Sequence, residues 1–382
     1  MNLAPASVMD YRELARRKLP RQLFDYIDGG AYTESTMRAN VDDLRGIHLR
    51  QRILRDVSEI DLGLEVLGEK LALPLVLAPV GLAGMFARRG EVLAAKAAEE
   101  EGIRFCESTV SICSIEEVKA ATSVPFWFQL YVMRDRGYAE ALIGRAKDAG
   151  CSVLVLTVDL AVVGARYRDT RNGMMGSVSG AKKLVRGWDI ISHVGWVSDV
   201  AIGGKPLTFG NLEAAVPDAR SPAGFKDWVD GQFDPSVTWD DLEWVRKHWP
   251  GKLVLKGILD VEDAKRASEV GADGIVVSNH GGRQLDDVRS TASALPPIAE
   301  AVGDRLEVLV DGGIRSGLDV VKMLSLGAKA CLVGRAWTYA VAGGGQAGVA
   351  HVIRIIREEM EVAMALTGKQ RLSELGSDVL DR

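Results

Sequence analysis

Cysteine is scarce: four in 382 residues, Cys106, Cys113, Cys151 and Cys331, with no CxxC pair and no grouping at metal-ligand spacing. Neither a disulfide framework nor a structural zinc is indicated, and a reducing compartment is expected. Neither sign of charge dominates, since 47 basic side chains face 52 acidic ones for a net −5. That balance argues against a nucleic-acid-binding face and against a disordered chain. Long apolar runs are missing too. Residues 71–87 carry no formal charge but hold Pro74, Pro79, Gly81 and Gly84, and they fall short of the roughly 20 residues a membrane span needs. Residues 336–353 are equally uncharged, yet Gly343, Gly344, Gly345 and Gln346 stand at their centre. The opening MNLAPASVMDYRELARRKLPRQ has no apolar stretch behind a basic start, so no secretory signal is expected. Repeats and low-complexity tracts are also lacking.

What is present is a chain 47% hydrophobic and 26% charged, enough to bury a full core. Eight short runs rich in Val, Leu and Ile occur at residues 75–79, 103–106, 126–129, 153–157, 253–256, 274–278, 308–311 and 330–334. Each precedes a turn and a helical pattern, as parallel strands covered by helices do. Caps mark several of the helices: Ser114 with Glu117, Thr238 with Asp241, Asp260 with Asp263, and Ser316 ahead of LDVVKMLSLG. Eight such units predict the α/β class and a (β/α)8 TIM barrel, one domain over residues 1–382. Residues 1–70 form an N-terminal extension with helices expected at 8–18 and 20–28. Strands four and five stand about 95 residues apart, which demands an insertion over 165–235.

Active sites of such barrels lie at the C-terminal strand ends, and here those ends are polar. They read Pro79-Val80-Gly81, Ser108-Thr109, Gln129 with Tyr131, Thr157 with Asp159, Lys256, Ser278-Asn279-His280, Asp311-Gly312-Gly313 with Arg315, and Gly334-Arg335. Gly312 and Gly313 let the backbone approach an anion, and Arg315 and Arg335 each offer a planar fork, so a phosphate site is expected after strands seven and eight. His280 stands in SNHGGRQLD, where the Gly281-Gly282 turn brings Arg283 back towards the same pocket. A neutral imidazole there can take a proton while Arg283 clamps a carboxylate and Asp159 orients the ring. Lys256, ending an apolar strand, suits either a Schiff base or a fixed positive charge beside an electron-rich cofactor ring. His48, His193, His248 and His351 lack such company and read as surface or packing residues. No metal site is expected. On these residues alone, a lyase or a binding protein for phosphorylated compounds stays open.

The motifs FDYIDGGA (24–31), APVGLAGMFARRGE (78–91), WFQLYV (127–132), TVD (157–159), GARYRD (164–169), KGIL (256–259), SNHGGRQLD (278–286), DGGIRSGLDV (311–320) and GR (334–335) together resemble the FMN-dependent 2-hydroxy-acid oxidases and dehydrogenases. Within that family the chain is most similar to the respiratory, quinone-linked L-lactate dehydrogenase branch, and next to the (S)-mandelate dehydrogenases. The resemblance implies FMN, with Pro79, Val80 and Gly81 against the flavin N5 side and Ser108, Gln129 and Thr157 holding the ring. Lys256 is implied to stabilise negative charge at N1, in place of a Schiff base. Ser278, Asp311, Gly312, Gly313, Arg315, Gly334 and Arg335 are implied for the ribityl and phosphate groups. Substrate carboxylate is implied to meet Arg283 and Tyr26, with Tyr131 and Arg166 near the hydroxyl and His280 as base. A 2-hydroxy acid then becomes a 2-oxo acid, and a quinone or oxygen reoxidises the flavin. A homotetramer is implied in the same way. One departure is that TVDLAVVGARYRD lacks the proline many relatives carry after TVD, so the loop bearing Arg166 is expected to be set differently. Gly81 leaves room for a substituent larger than the methyl of lactate.

Residues 176–212 place Lys182, Lys183 and Arg186 beside Trp188, Ile190, Ile191, Val194, Trp196 and Val197. Basic residues flanking tryptophans and aliphatics suit a segment lying on a membrane without crossing it; the other reading is a lid over the barrel mouth. With the resemblance, the expectation is peripheral attachment at the cytoplasmic face of the inner membrane.

Overall fold

The structure, a computed structural model, describes residues 4–131, 133–174, 180–213 and 231–381. Eight parallel strands close into a barrel in chain order: β1 (Leu75–Leu77), β2 (Arg104–Ser108), β3 (Trp127–Tyr131), β4 (Val153–Thr157), β5 (Lys252–Ile258), β6 (Gly274–Val277), β7 (Glu307–Val310) and β8 (Ala330–Val333). This is the expected (β/α)8 barrel, each strand falling on one of the eight apolar runs. β2 and β3 extend past their runs because Ser108 pairs with Gln129 and Tyr131 with Thr157 in the ladder. Polar side chains at the mouth therefore sit on regular strand.

Alternation along each strand sorts the core into two faces. Val76, Cys106, Trp127, Val155, Val254, Val276 and Leu309 fill the barrel interior, while Leu75, Leu77, Phe105, Phe128, Leu154 and Leu255 pack outward under the helices. The N-terminal end is plugged by a hairpin, Leu64–Val66 against Glu69–Leu71, whose Val66, Leu67 and Leu71 join the interior cluster. Its Leu67-Gly68 turn takes φ of 52° and 83°, as a two-residue primed turn requires. Glu69 anchors the hairpin, accepting from the Trp127 indole at 2.8 Å and from Arg104 at 3.2 Å.

Helices α1 (Val8–Lys18) and α2 (Arg21–Asp28) lie where the extension predicts them, and a third, α3 (Ser35–Gly46), follows. Ser114 and Glu117 close a full capping box, an arrangement that contributes about 1 kcal/mol. Ser316 caps its helix by accepting from Asp319 N–H. Asp260 accepts from Glu262, not from residue 263. Thr238 is no cap at all: it donates its N–H and hydroxyl to Asp241, with Asp240 preceding the helix Asp241–His248. The cause is a turn in which Asp241 N–H reaches Thr238 O at 3.2 Å, leaving the hydroxyl beside the carboxylate.

Residues 336–353 belong to a long C-terminal helix, Arg335–Thr367, broken at Gly345 with φ of 61°. Its glycines serve packing, since a Cβ on Gly343 would stand 3.0 Å from the Tyr11 ring of α1. Among the described residues no helix is long and apolar enough to cross a membrane. After β4 the chain leaves the barrel through Tyr167–Asn172 and the arm helix Ala181–Ser192, returning where Gly210 N–H bonds Ser111 O and Ile112 O. Of the segment expected at the membrane, residues 176–179 and the Lys182 side chain lie outside the described residues, as do residues 214–230 of the insertion.

Candidate active site

A cavity of about 1090 Å³ opens at the C-terminal end of the barrel. Of the residues singled out above, Tyr26, Pro79, Val80, Gly81, Tyr131, Thr157, Arg166, Lys256, His280, Arg283, Asp311, Gly312, Gly313, Arg315, Gly334 and Arg335 line it. Ser108, Asp159 and Ser278 stand behind the wall and bond Val110, His280 and Lys256, which line it, and Gln129 stands behind it bonded to Ser108. The remaining histidines are elsewhere: His193 meets Asp189 O, His248 meets Trp244 O, and His351 meets the Tyr11 hydroxyl.

His280 takes a left-handed φ of 56°, fixed by its N–H on Ser278 Oγ at 3.0 Å. Its Nδ1 lies 2.9 Å from Asp159 Oδ1, which leaves Nε2 as the nitrogen available to the cavity. Asp159 can come this close because Gly257, at the β5 bulge, has φ of 114° and no Cβ; one built there would stand 2.6 Å from Asp159 Cβ. Burial, with Lys256 and Arg283 nearby, holds the imidazole below its ordinary value despite Asp159. Burial alone would raise the Asp159 carboxyl, but His280 and Lys256 outweigh it and hold it down. The pair is thus a neutral imidazole with an anion on its far nitrogen, the arrangement of a general base.

Beside it sit two cations. The Arg283 guanidinium lies 4.8 Å and that of Arg166 5.7 Å from the centre of the Tyr26 ring. Arg283 Nη1 donates to Tyr26 O and Gly29 O, and burial together with Arg166 pushes its pKa down to about 9. Arg166 Nε is buried with no partner. Asp169, 3.8 Å from Arg166 Nη1, offsets one of the two charges; the second cation and the spare donors suit a further anion, and a planar carboxylate matches their geometry. The Arg166 loop, set without a proline, still delivers its guanidinium to this wall. The Tyr131 phenol, raised above its ordinary value by burial, remains a donor.

The opposite side fits a flavin nucleotide. Gln129 accepts from Ser108 Oγ at 3.0 Å, leaving a buried Nε2 without a partner, a donor suited to a ring carbonyl. Lys256 Nζ is 3.0 Å from Asp311 Oδ2 and 3.1 Å from Ser278 Oγ; Asp311 Oδ1 has no partner, as a polyol acceptor would not. Gly312 and Gly313 have φ of 95° and 81°. The Lys256 ammonium stays charged because Asp311 and Asp159 more than offset its burial.

Arg335 lines the cavity with its fork already engaged by backbone: Nε bonds Ile27 O, Nη1 Gly281 O and Nη2 Gly29 O. Three carbonyls converge there and meet their donor in one guanidinium. Arg335 also opens the helix Arg335–Thr367, whose first N–H groups form an end suited to an anion, and Arg315 lines the same cavity.

Several supporting contacts are not visible in the sequence. Asn40 and Asn279 exchange two amide bonds of 2.8 Å and hold the His280 loop. Gln284 donates to Asp159 O at 3.0 Å. Asp28, which positions the helix carrying Tyr26, accepts from Arg12, Arg168 and Tyr339. Asn211 ties the insertion to Glu107 and to Ser108 O. Most of these partners stand 100 or more residues apart and give no local pattern, so the motifs FDYIDGGA, GARYRD and SNHGGRQLD contain Asp28, Arg168, Asn279 and Gln284 without showing what each bonds.

A carboxylate site with two arginines, a half-buried histidine base and a flavin cradle on one barrel define a flavin-linked 2-hydroxy-acid oxidoreductase. The chain belongs to the FMN-dependent dehydrogenase family, whose profile it matches over residues 15–382. It is 55% identical over 375 residues to the L-lactate dehydrogenase of Caulobacter vibrioides, covering 98% of this chain and 97% of that one. The L-lactate dehydrogenase of Actinobacillus pleuropneumoniae is 53% identical, with 98% of both chains covered. Among solved structures, the monotopic membrane protein (S)-mandelate dehydrogenase superposes with a TM-score of 0.92 at 36% identity, covering 99% of each chain. A mandelate oxidase gives 0.83 at 38%, covering 99% and 98%.

Proposed function

We propose that this protein oxidises L-lactate to pyruvate at FMN and delivers the electrons to a membrane-borne quinone. The observation that carries the chemistry is the His280–Asp159 pair, 2.9 Å apart, beside Arg166 and Arg283. Lactate over mandelate is favoured by identities of 53–55% to L-lactate dehydrogenases against 36–38% to the mandelate enzymes.

Arg283, Arg166 and Tyr26 bind and orient the substrate carboxylate, and Tyr131 donates to the substrate oxygen. His280 Nε2 takes the departing proton, and Asp159 stabilises the imidazolium that results. FMN, when bound, accepts the two electrons leaving the substrate Cα. Gln129, Ser108 and Thr157 hold its ring, Pro79, Val80 and Gly81 flank it, and Lys256 offsets negative charge at its far edge. Asp311, Ser278, Gly312, Gly313, Arg315, Gly334 and the Arg335 N–H hold the polyol and phosphate.

Attachment to the cytoplasmic face of the inner membrane belongs to this reading. Leu184, Trp188 and Ile191, one face of the arm helix at i, i+4 and i+7, are 77%, 74% and 65% exposed. Lys183 borders them, a pattern suited to anionic lipid. A homotetramer is proposed as well, read out by sedimentation of the 41.2 kDa chain. The deciding experiment is anaerobic bleaching of the flavin by L-lactate and, separately, by (S)-mandelate. Rapid bleaching by lactate is expected; bleaching by mandelate alone would overturn the substrate.

A further inference from the structure

The two arginines of the carboxylate wall are anchored differently. Arg283 is tied to the end of α2 by its own bonds to Tyr26 O and Gly29 O. Arg166 stands on no barrel strand; it immediately precedes the short helix Tyr167–Asn172, where the chain leaves the barrel after β4. Its guanidinium can share one carboxylate with Arg283 only while that helix is held against α2. Arg168 does the holding at the near end: Nη1 donates to Asp28 Oδ2 at 2.8 Å and Nη2 to Glu34 Oε2 at 2.7 Å. One turn further on, Asn172 Nδ2 donates to Asp25 Oδ2 at 3.1 Å, and Asn172 O accepts from Gln22 Nε2 at 2.7 Å. The short helix therefore runs antiparallel to α2, with Arg168 beside the turn Gly29-Gly30. That close pass needs a residue without a side chain, since a Cβ on Gly29 would stand 2.6 Å from Asp25 O and 3.3 Å from Arg168 Cδ.

We propose that Arg168 is a positioning residue for substrate: it fixes Arg166 relative to Arg283 and Tyr26, so that both guanidiniums meet one carboxylate. The inference rests on the reading of Arg166 and Arg283 as the carboxylate clamp and adds what sets its span. Arg168 does not line the cavity, so its effect passes through Arg166. Its side chain is 32% exposed, but those of Asp28 and Glu34 are only 5% and 13% exposed, and one planar fork joins both to the Arg166 helix, unlike an ordinary surface ion pair. A span set in advance spares the substrate the cost of ordering that helix. Neither carboxylate depends on Arg168 alone. Asp28 keeps Arg12 and Tyr339, and Glu34 keeps the Gly30 N–H at 3.0 Å. Loss of Arg168 therefore frees the Arg166 helix without leaving a buried charge unpaired.

The test uses the flavin-loaded protein with Arg168→Ala, Arg166→Lys and the two combined. The probe is oxamate, whose dissociation constant is read from the flavin spectrum, alongside reduction by L-lactate. Arg168→Ala should weaken oxamate about tenfold and raise the KM for lactate to match. The flavin-reduction rate at saturating lactate should stay within about threefold of wild type, since the base and its carboxylate are unchanged. On top of Arg166→Lys, the same substitution should cost less than about twofold more, because residues that act through one another do not add. Arg168→Lys, which reaches one carboxylate at a time, should lose less than Arg168→Ala and carries the same comparison if the alanine variant folds poorly. Wild-type oxamate affinity in Arg168→Ala, or its full tenfold loss on top of Arg166→Lys, would overturn the assignment while the clamp itself stands. Unchanged oxamate binding in Arg166→Lys alone would instead overturn the carboxylate reading of Arg166, and the role of Arg168 with it.

Discussion

Nδ1 of His280 and Oδ1 of Asp159 meet at 2.9 Å across 121 residues of sequence. The contact fixes which imidazole nitrogen is protonated and leaves the other as base. Replacing His280 by Gln should slow substrate-driven flavin reduction by about 10²- to 10⁴-fold, the usual contribution of a positioned general base. Flavin should stay bound, because no flavin-cradle atom belongs to His280. Stopped-flow bleaching and the visible spectrum report the two separately.

The folded imidazole lies below its ordinary value of 6.5, so the neutral form already predominates at pH 6.5. Reduction by lactate should therefore rise with pH along an acid limb whose midpoint lies below 6.5, and level off above it. Asp159 pulls the imidazole upward; Asp159→Asn removes that pull. The acid limb should move to still lower pH while the plateau rate drops. A limb that moved to higher pH would contradict the assignment.

Arg283 holds two backbone carbonyls and stacks on Tyr26 with one planar group. Lysine cannot reproduce that fork. Arg283→Lys should raise the substrate dissociation constant at least about tenfold, the loss expected of a charge-assisted hydrogen bond. Titration of the flavin spectrum with a non-oxidisable 2-oxo acid such as oxamate reads this without turnover.

A Cβ on Gly313 would stand 2.0 Å from Asn40 O, at a φ of 81°. Gly313→Ala must displace either α3 or the turn after β7, and the phosphate position with it. The variant should lose flavin on dialysis where wild type keeps it, measured by the ratio of visible to ultraviolet absorbance.

Burial would raise the Asp28 carboxyl, but Arg12, Tyr339 and Arg168 outweigh it and hold its pKa at about 2, against an ordinary 3.8. A depressed carboxyl stabilises the fold above pH 4, and that stability is lost as pH falls from 4 towards 2. The shift corresponds to roughly 2 kcal/mol. Asp28→Asn should lower the denaturant midpoint at pH 7 and flatten its fall below pH 4.

The barrel was legible because its strands are short, doubly buried and bounded by caps, all local properties of the chain. Lys256, Asp159 and His280 were legible as polar residues at the ends of apolar runs. Tyr26 and Arg166 came only through family resemblance, since neither ends a barrel strand. Residue type announces Arg335 as a cation but not the partners of its fork, Ile27 O and Gly29 O, which come from the end of a helix more than 300 residues earlier. The Asn40–Asn279 pair and the Asp28 cluster stayed hidden for the same reason. Buried polar groups are matched in space, and sequence spacing carries no trace of the match.

All four cysteines are buried, and burial pushes each thiol above its ordinary range. The native protein therefore presents almost no thiolate, the species that alkylating agents and peroxides attack. Cys106 and Cys331 lie on barrel strands, so their labelling by iodoacetamide requires the barrel itself to open. The rate of that labelling becomes a clock for barrel opening, and the same burial spares the folded protein oxidative damage at sulfur of cysteine.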